Sequence, residues 1–137
     1  MARYLLDTNI CGFLFRNKYG IPEKLKEIGL SQCAVSQLTV LELMVGFEYS
    51  KQKNGVDQSP RLKEFLRYVQ VITIDDILSL AAQEKARLQL AGTPSHDLID
   101  VLIACTAIKN SLIMVTENTK HFVNFKNIEI ENWVKRE

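Results

Sequence analysis

Apolar residues recur along this chain in short unbroken runs, separated by longer stretches in which they fall three and four residues apart, the pattern of strands alternating with helices. Tyr4-Leu5-Leu6 is the first run, and Asp7-Thr8-Asn9, three residues suited to a helix start, leads into a richly apolar helix from Ile10 to Phe15. Gly20-Ile21-Pro22 breaks that segment, and Pro22 suits the first position of a helix running to about Ile28. Cys33-Ala34-Val35-Ser36 reads as a second buried strand; Ser36 or Thr39 then caps a helix through Leu41, Leu43, Met44 and Phe47. The polar stretch from Lys51 to Ser59, with Gly55, is the most loop-like part of the chain. Ser59-Pro60 opens a helix to about Val69, Val71-Ile72-Thr73-Ile74 is a β-branched third strand, and Asp75 or Asp76 caps a helix that ends near Gly92. Thr93-Pro94-Ser95 starts another helix, to about Asn110, Leu112-Ile113-Met114-Val115 is the fourth strand, and Asn127 to Glu131 adds a short fifth.

Strands that are apolar throughout and separated by helices predict an α/β fold of three layers, α/β/α, with a central, mainly parallel sheet of four to five strands buried on both faces. No internal repeat, low-complexity tract or second boundary interrupts the pattern, so residues 1–137 read as a single domain. In such sheets ligands bind outside the carboxyl ends of the strands. Asp7, Glu42 and the segment Thr116-Glu117-Asn118 all follow predicted strands and become the positions to examine.

Charge narrows the picture less than position does. With 17 Lys and Arg against 16 Asp and Glu the net charge is +1, too weak to draw the whole molecule onto a polyanion, so nucleic-acid binding would rest on local patches. Lys51 and Lys53, Arg61-Lys63-Arg67, and Lys120 with His121 are the candidates; for the middle group a solvated helix face is the stronger reading. Cys11, Cys33 and Cys105 are odd in number, widely spaced and set among apolar residues, which fits buried thiols in a reducing compartment rather than disulfides or a zinc site. The apolar run at the N-terminus is far too short for a signal peptide or membrane span, so a cytoplasmic, membrane-free protein is expected.

The acids carry the chemistry. Asp7 alone is explained by capping, and Thr39-x-x-Glu42 by a capping box in which Glu42 reaches back to the first amide of its helix. If Ser36 starts that helix instead, Glu42 lies on a mostly apolar stripe with Leu38, Val45 and Gly46, where a carboxylate needs a partner. Asp97 suits a helix N-terminus. Asp100 precedes Val101-Leu102-Ile103-Ala104-Cys105, with no Lys or Arg within four residues to pair with it. Three acids converging on one sheet rim are costly without a cation, and hard divalent ions take oxygen ligands of this kind. His96 and His121 lack zinc-type spacing. Other functions fit less well: a DxD-type phosphatase needs an acid where Asn9 stands, a signal-receiver domain matches Asp75 and Asp76 only loosely, and a catalytically silent binding module would leave all the acids as caps.

Asp7-Thr8-Asn9 after the first strand, Leu41-Glu42-Leu43-x-x-Gly46, Asp100-x-Leu102-Ile103-Ala104-x-x-Ala107, and Val115-Thr116-x-Asn118-x-x-x-Phe122 followed by Ile128-x-x-x-x-Trp133 together resemble the PIN-domain proteins, specifically the VapC-type ribonuclease toxins of toxin–antitoxin pairs. The resemblance spans nearly the whole chain. It implies a Mg²⁺- or Mn²⁺-dependent endoribonuclease cutting structured RNA such as tRNA or rRNA, held inactive by a VapB-like antitoxin whose tail covers the active site, and assembled as a homodimer or a larger toxin–antitoxin complex. By position it assigns Asp7, Glu42 and Asp100 as metal-binding and catalytic acids and puts Asn118 where many members carry a fourth Asp. An amide there brings no charge, which favours one firmly held ion and a second only with substrate. Glu117 next door is a possible substitute acid, Asp97 an outer acid, and Thr8 and Thr116 hydroxyls that orient the carboxylates. Phe13, Leu14 and Phe47 are candidates for an antitoxin groove or a dimer face.

Overall fold

A computed structural model describes residues 1–93 and 97–136. Five strands, β1 (Tyr4–Leu6), β2 (Cys33–Ser36), β3 (Gln70–Ile72), β4 (Ile113–Val115) and β5 (Glu129–Glu131), form one sheet in the order β3-β2-β1-β4-β5, and every pairing is parallel. Helices α1 (Thr8–Phe15), α2 (Ile21–Ile28), α3 (Gln37–Asn54), α4 (Ser59–Leu66), α5 (Leu78–Leu90) and α6 (Leu98–Lys109) connect the strands, with short 3₁₀ turns at Leu30–Gln32 and Thr119–His121.

Period-two alternation along the strands feeds two cores. Tyr4, Leu6, Cys33, Val35 and Val115 turn to one face, where Ile10, Phe13, Leu25, Leu43 and Phe65 of α1 to α4 cover them. Leu5, Ala34 and Met114 turn to the other, under Ala81 and Leu88 of α5 and Val101, Ile103 and Cys105 of α6, with Phe122 and Phe125 closing the edge. The expected three layers are therefore present. Cys11, Cys33 and Cys105 are buried and unpaired, and burial pushes the Cys33 thiol up to about 12 and Cys105 to about 11, values that leave both protonated and inert.

Several boundaries differ from expectation. Only the first part of the polar stretch from Lys51 to Ser59 departs from loop: α3 continues to Asn54, with Gln52 donating to Glu48 one turn earlier, and ends where Gly55 takes a left-handed φ of 74° and donates to the carbonyl of Lys51, leaving residues 55–58 as the loop. A solvated polar helix leaves no apolar period to read. The third strand comes one residue early, at Gln70, and stops before Thr73, because the amide of Ile74 turns to the side chain of Gln37. α4 stops at Leu66 rather than Val69. Neither Asp75 nor Asp76 caps α5, which follows a turn closed between Ile74 and Ile77; Asp76 instead accepts from Lys109 through its carbonyl oxygen at 2.6 Å. The expected helix start at Pro94 and Ser95 lies outside the described residues, and α6 begins at Leu98 behind Asp97.

The strand order reverses between β1 and β4, since the chain winds from β1 outward to β3 and returns to add β4 and β5 on the other side. A crevice forms at such a switch point beyond the carboxyl ends of the strands. Asp7 and Thr116 are the first residues past β1 and β4, side by side because Leu6 is in register with Val115.

Candidate active site

Asp7 sits at the floor of this crevice, only 6% exposed. It caps α1, Oδ1 accepting from the amide of Thr8 at 2.8 Å, while Oδ2 accepts from the Thr116 hydroxyl at 2.8 Å. Thr116 is held in turn: its oxygen accepts from the amide of Asn118 at 3.0 Å and lies 3.4 Å from the side-chain nitrogen of Asn9. Capping and site formation are thus not alternatives for Asp7. Burial holds its carboxyl above the usual carboxylate range, the two hydrogen bonds oppose that shift, and the nearby charges of Asp100 and Glu42 add to it. No Lys or Arg among the described residues pairs with it.

Glu42 is brought to Asp7 by the helix it stands on. Ser36 is the cap of α3, its Oγ accepting from the amide of Leu38 at 3.1 Å, so the capping-box reading of Thr39 and Glu42 does not hold. Glu42 points across to α1, where the Thr8 hydroxyl donates to Oε1 at 2.5 Å. Its stripe faces solvent rather than core, with Val45 60% exposed, so the desolvation expected for Glu42 is absent. Asp100 is half-buried on the first turn of α6, where Oδ2 lies 3.1 Å from Nδ1 of His121; a carboxylate only accepts, so Nδ1 carries the proton. His121 belongs to the 3₁₀ turn after β4, and so supplies from a distant loop the partner that sequence neighbours of Asp100 do not.

The remaining candidates separate. Asp97 is committed to the α6 cap, accepting from Ile99 at 2.7 Å, and is exposed. Asn118 is exposed and starts the 3₁₀ turn. Glu117 is engaged by Arg136, whose guanidinium reaches Oε2 at 2.6 Å and stacks over the Tyr19 ring at 4.1 Å. Lys120 and His121 lie beside the crevice, whereas Lys51 and Lys53 are on the last turn of α3, nine or more residues beyond Glu42, about 14 Å along the axis. Arg136 and the buried Thr39 escaped the sequence reading: nothing marks Arg136, and the spacing of Thr39 to Glu42 had an ordinary capping explanation.

Beside Glu42 a groove of about 520 Å³ runs between α1, α3 and α4, with Phe15 and Phe47 on its walls and Arg16 and Arg61 at its rim. Of the apolar residues expected to form such a groove only Phe47 does; Phe13 is buried edge-on against Tyr19.

Among the described residues, no three acid, His or Cys side chains already close into a coordination sphere. Three carboxylates gather at the switch point instead: Asp7 feels the charges of Asp100 and Glu42, and threonine hydroxyls hold Asp7 from Thr116 and Glu42 from Thr8. A model of the PIN domain matches residues 4–128 of this sequence. The chain belongs to the PIN-domain family. Among its relatives within this PIN-domain family, the tRNA(fMet)-specific endonuclease VapC of Salmonella typhimurium is 31% identical, with 97% of this chain and 99% of that protein aligned. Ribonuclease VapC2 of Rickettsia felis is 30% identical over 96% of this chain and 98% of its own. A chain in the crystal structure of DNA-bound VapBC from Salmonella typhimurium superposes with a TM-score of 0.81 at 29% identity, covering 97% of this chain and 99% of that one. The expected likeness to VapC-type PIN-domain nucleases is borne out, as is the parallel α/β fold.

Proposed function

We propose that this PIN-domain nuclease is the toxin of a toxin–antitoxin pair, a divalent-metal-dependent endoribonuclease acting on tRNA or rRNA and neutralised by a VapB-like antitoxin. The observation that carries the proposal is Asp7: a nearly buried carboxylate at the switch point, crowded by Asp100 and Glu42 and with no cationic side chain among the described residues paired to it. Such a set is stable when a cation completes it. The donors are all oxygens, which suits Mg²⁺ or Mn²⁺ and not zinc, and Asp7, Glu42 and Asp100 would hold the ion. With Asn118 in place of an acid and Glu117 paired to Arg136, one ion is held firmly and a second only with substrate.

A bound divalent ion supplies a lowered pKa to the attacking water and neutralises charge on the phosphate oxygens. The chain's own residues do the rest. Thr116 and the Thr8 amide fix the Asp7 carboxylate; Glu42 or Asp100 orients the water and takes its proton. Lys120 and His121, on the 3₁₀ turn after β4, would offset the acidity of the site where RNA must approach. In-line attack by water leaves 5′-phosphate and 3′-hydroxyl ends. The groove between α1, α3 and α4 suits an antitoxin tail, since its apolar walls run directly to Glu42 and Arg16 and Arg61 invite an acidic or carboxyl-bearing segment.

Metal binding tests the site without RNA. At Mn²⁺ about a hundredfold above its dissociation constant, the melting temperature of the wild type should rise by about 8–10 °C, from roughly 2.7 kcal/mol of linked stabilisation. Asp100→Asn should show little of this rise; an equal rise in the variant, or none in the wild type, contradicts the assignment. Thr116→Val, which keeps the side-chain shape and removes the hydroxyl from Asp7 Oδ2, should weaken Mn²⁺ affinity about tenfold to a hundredfold. Calorimetric titration checks this, and unchanged affinity would leave Thr116 a turn residue only.

A further inference from the structure

We infer that Thr39 is a positioning residue for this site, a buried hydroxyl that sets the direction of Glu42 through Thr8; the inference rests on Asp7, Glu42 and Asp100 being the metal-binding acids. Thr39 has no solvent exposure. Its Oγ1 lies 3.1 Å from Oγ1 of Thr8, which lies 2.5 Å from Oε1 of Glu42. Each hydroxyl has one proton, and an ionised carboxylate can only accept. The Thr8 proton therefore goes to Glu42, and Thr39 must donate to Thr8. This fixes a one-way chain, Thr39 to Thr8 to Glu42, running from the interior to the rim.

The chain explains two otherwise odd placements. Thr39 is not needed to start α3, because Ser36 already caps that helix. A buried hydroxyl at the third helical position, whose one hydrogen-bond contact among the described residues is another hydroxyl, is explained by what that second hydroxyl does. Glu42, for its part, is an exposed glutamate with three rotatable bonds, and without a fixed donor it would sample many directions. Thr8 also donates its amide to Asp7 Oδ1, so the same residue holds two acids of the site, one by its backbone and one by its side chain. Thr39 decides which way the side-chain half of that clamp points. Through-residue positioning of this kind is characteristic of the groups behind metal ligands.

The test is a double-mutant cycle read by Mn²⁺ calorimetry and RNA cleavage on the full chain. Thr39→Val, which keeps the volume and removes the proton, should weaken Mn²⁺ binding about tenfold to a hundredfold, and Thr39→Ser should restore it. In a Glu42→Gln background, Thr39→Val should cost little more, since the carboxylate it directs is gone. Wild-type affinity in a folded Thr39→Val, or an equal loss with and without the Glu42 carboxylate, overturns the inference while leaving the metal site standing. Absence of Mn²⁺ binding by the wild type overturns the site itself. Should Thr39→Val fail to fold, Thr8→Val interrupts the same chain at its partly exposed end and must show the same non-additivity with Glu42→Gln.

Discussion

Asp100→Asn is expected to lower RNA cleavage about a thousandfold, corresponding to the loss of about 4 kcal/mol of transition-state stabilisation. Asp100 combines proximity to Asp7 with one partner among the described residues, His121, which adjusts when the carboxylate becomes an amide. Asn keeps the volume and the position on the first turn of α6, and Asp97 keeps the cap, so the fold should be undisturbed. Far-ultraviolet circular dichroism should match the wild type while cleavage of purified RNA falls. A variant with more than about a tenth of wild-type activity would remove Asp100 from the chemistry.

Asp7→Asn should combine a comparable loss of cleavage with a gain in stability when metal is withheld. Burial, reinforced by Asp100 and Glu42, holds the Asp7 carboxyl above its ordinary value, so the folded state binds that proton more tightly than the unfolded chain does. The stabilising contribution of the proton is fully present below the unfolded-state value near 3.8 and is lost as pH rises through the higher folded-state value. At neutral pH the metal-free protein therefore carries an ionised carboxylate it would be more stable without. The Asn variant should melt above the wild type in EDTA at pH 7, and the wild type should close that gap as pH falls through the folded-state value. Mn²⁺ should reverse the order at pH 7. A variant that melts below the wild type in EDTA would show that the Thr8 and Thr116 hydrogen bonds to the carboxylate outweigh its burial and repulsion.

Much of the architecture was legible in the sequence because apolar runs such as Leu5-Leu6 and Ile113-Met114-Val115 are buried on both faces, and a parallel sheet is the usual setting for such runs. Where that signal fades the boundaries moved: Lys51 to Asn54 is helix without an apolar face, and β3 at the sheet edge is partly exposed, so Gln70 belongs to it as well as Val71. The acids of the site were legible by position, as residues that follow strands or stand on adjoining helices without local partners. Their environments were not. Glu42 meets the Thr8 hydroxyl, 34 positions away, and the partner of Asp100 is His121, 21 positions away. Contacts of that separation leave no periodic trace. The engagement of Glu117 by Arg136 belongs to the same class, and it changes the charge count of the crevice.

The most direct measurement is the chemistry of the RNA ends left by the purified chain with Mn²⁺, compared with EDTA and with Asp100→Asn. Water activated at Asp7, Glu42 and Asp100 predicts 5′-phosphate and 3′-hydroxyl ends that vanish in both controls. Ends carrying 2′,3′-cyclic phosphate, or cleavage undiminished in EDTA, would contradict it.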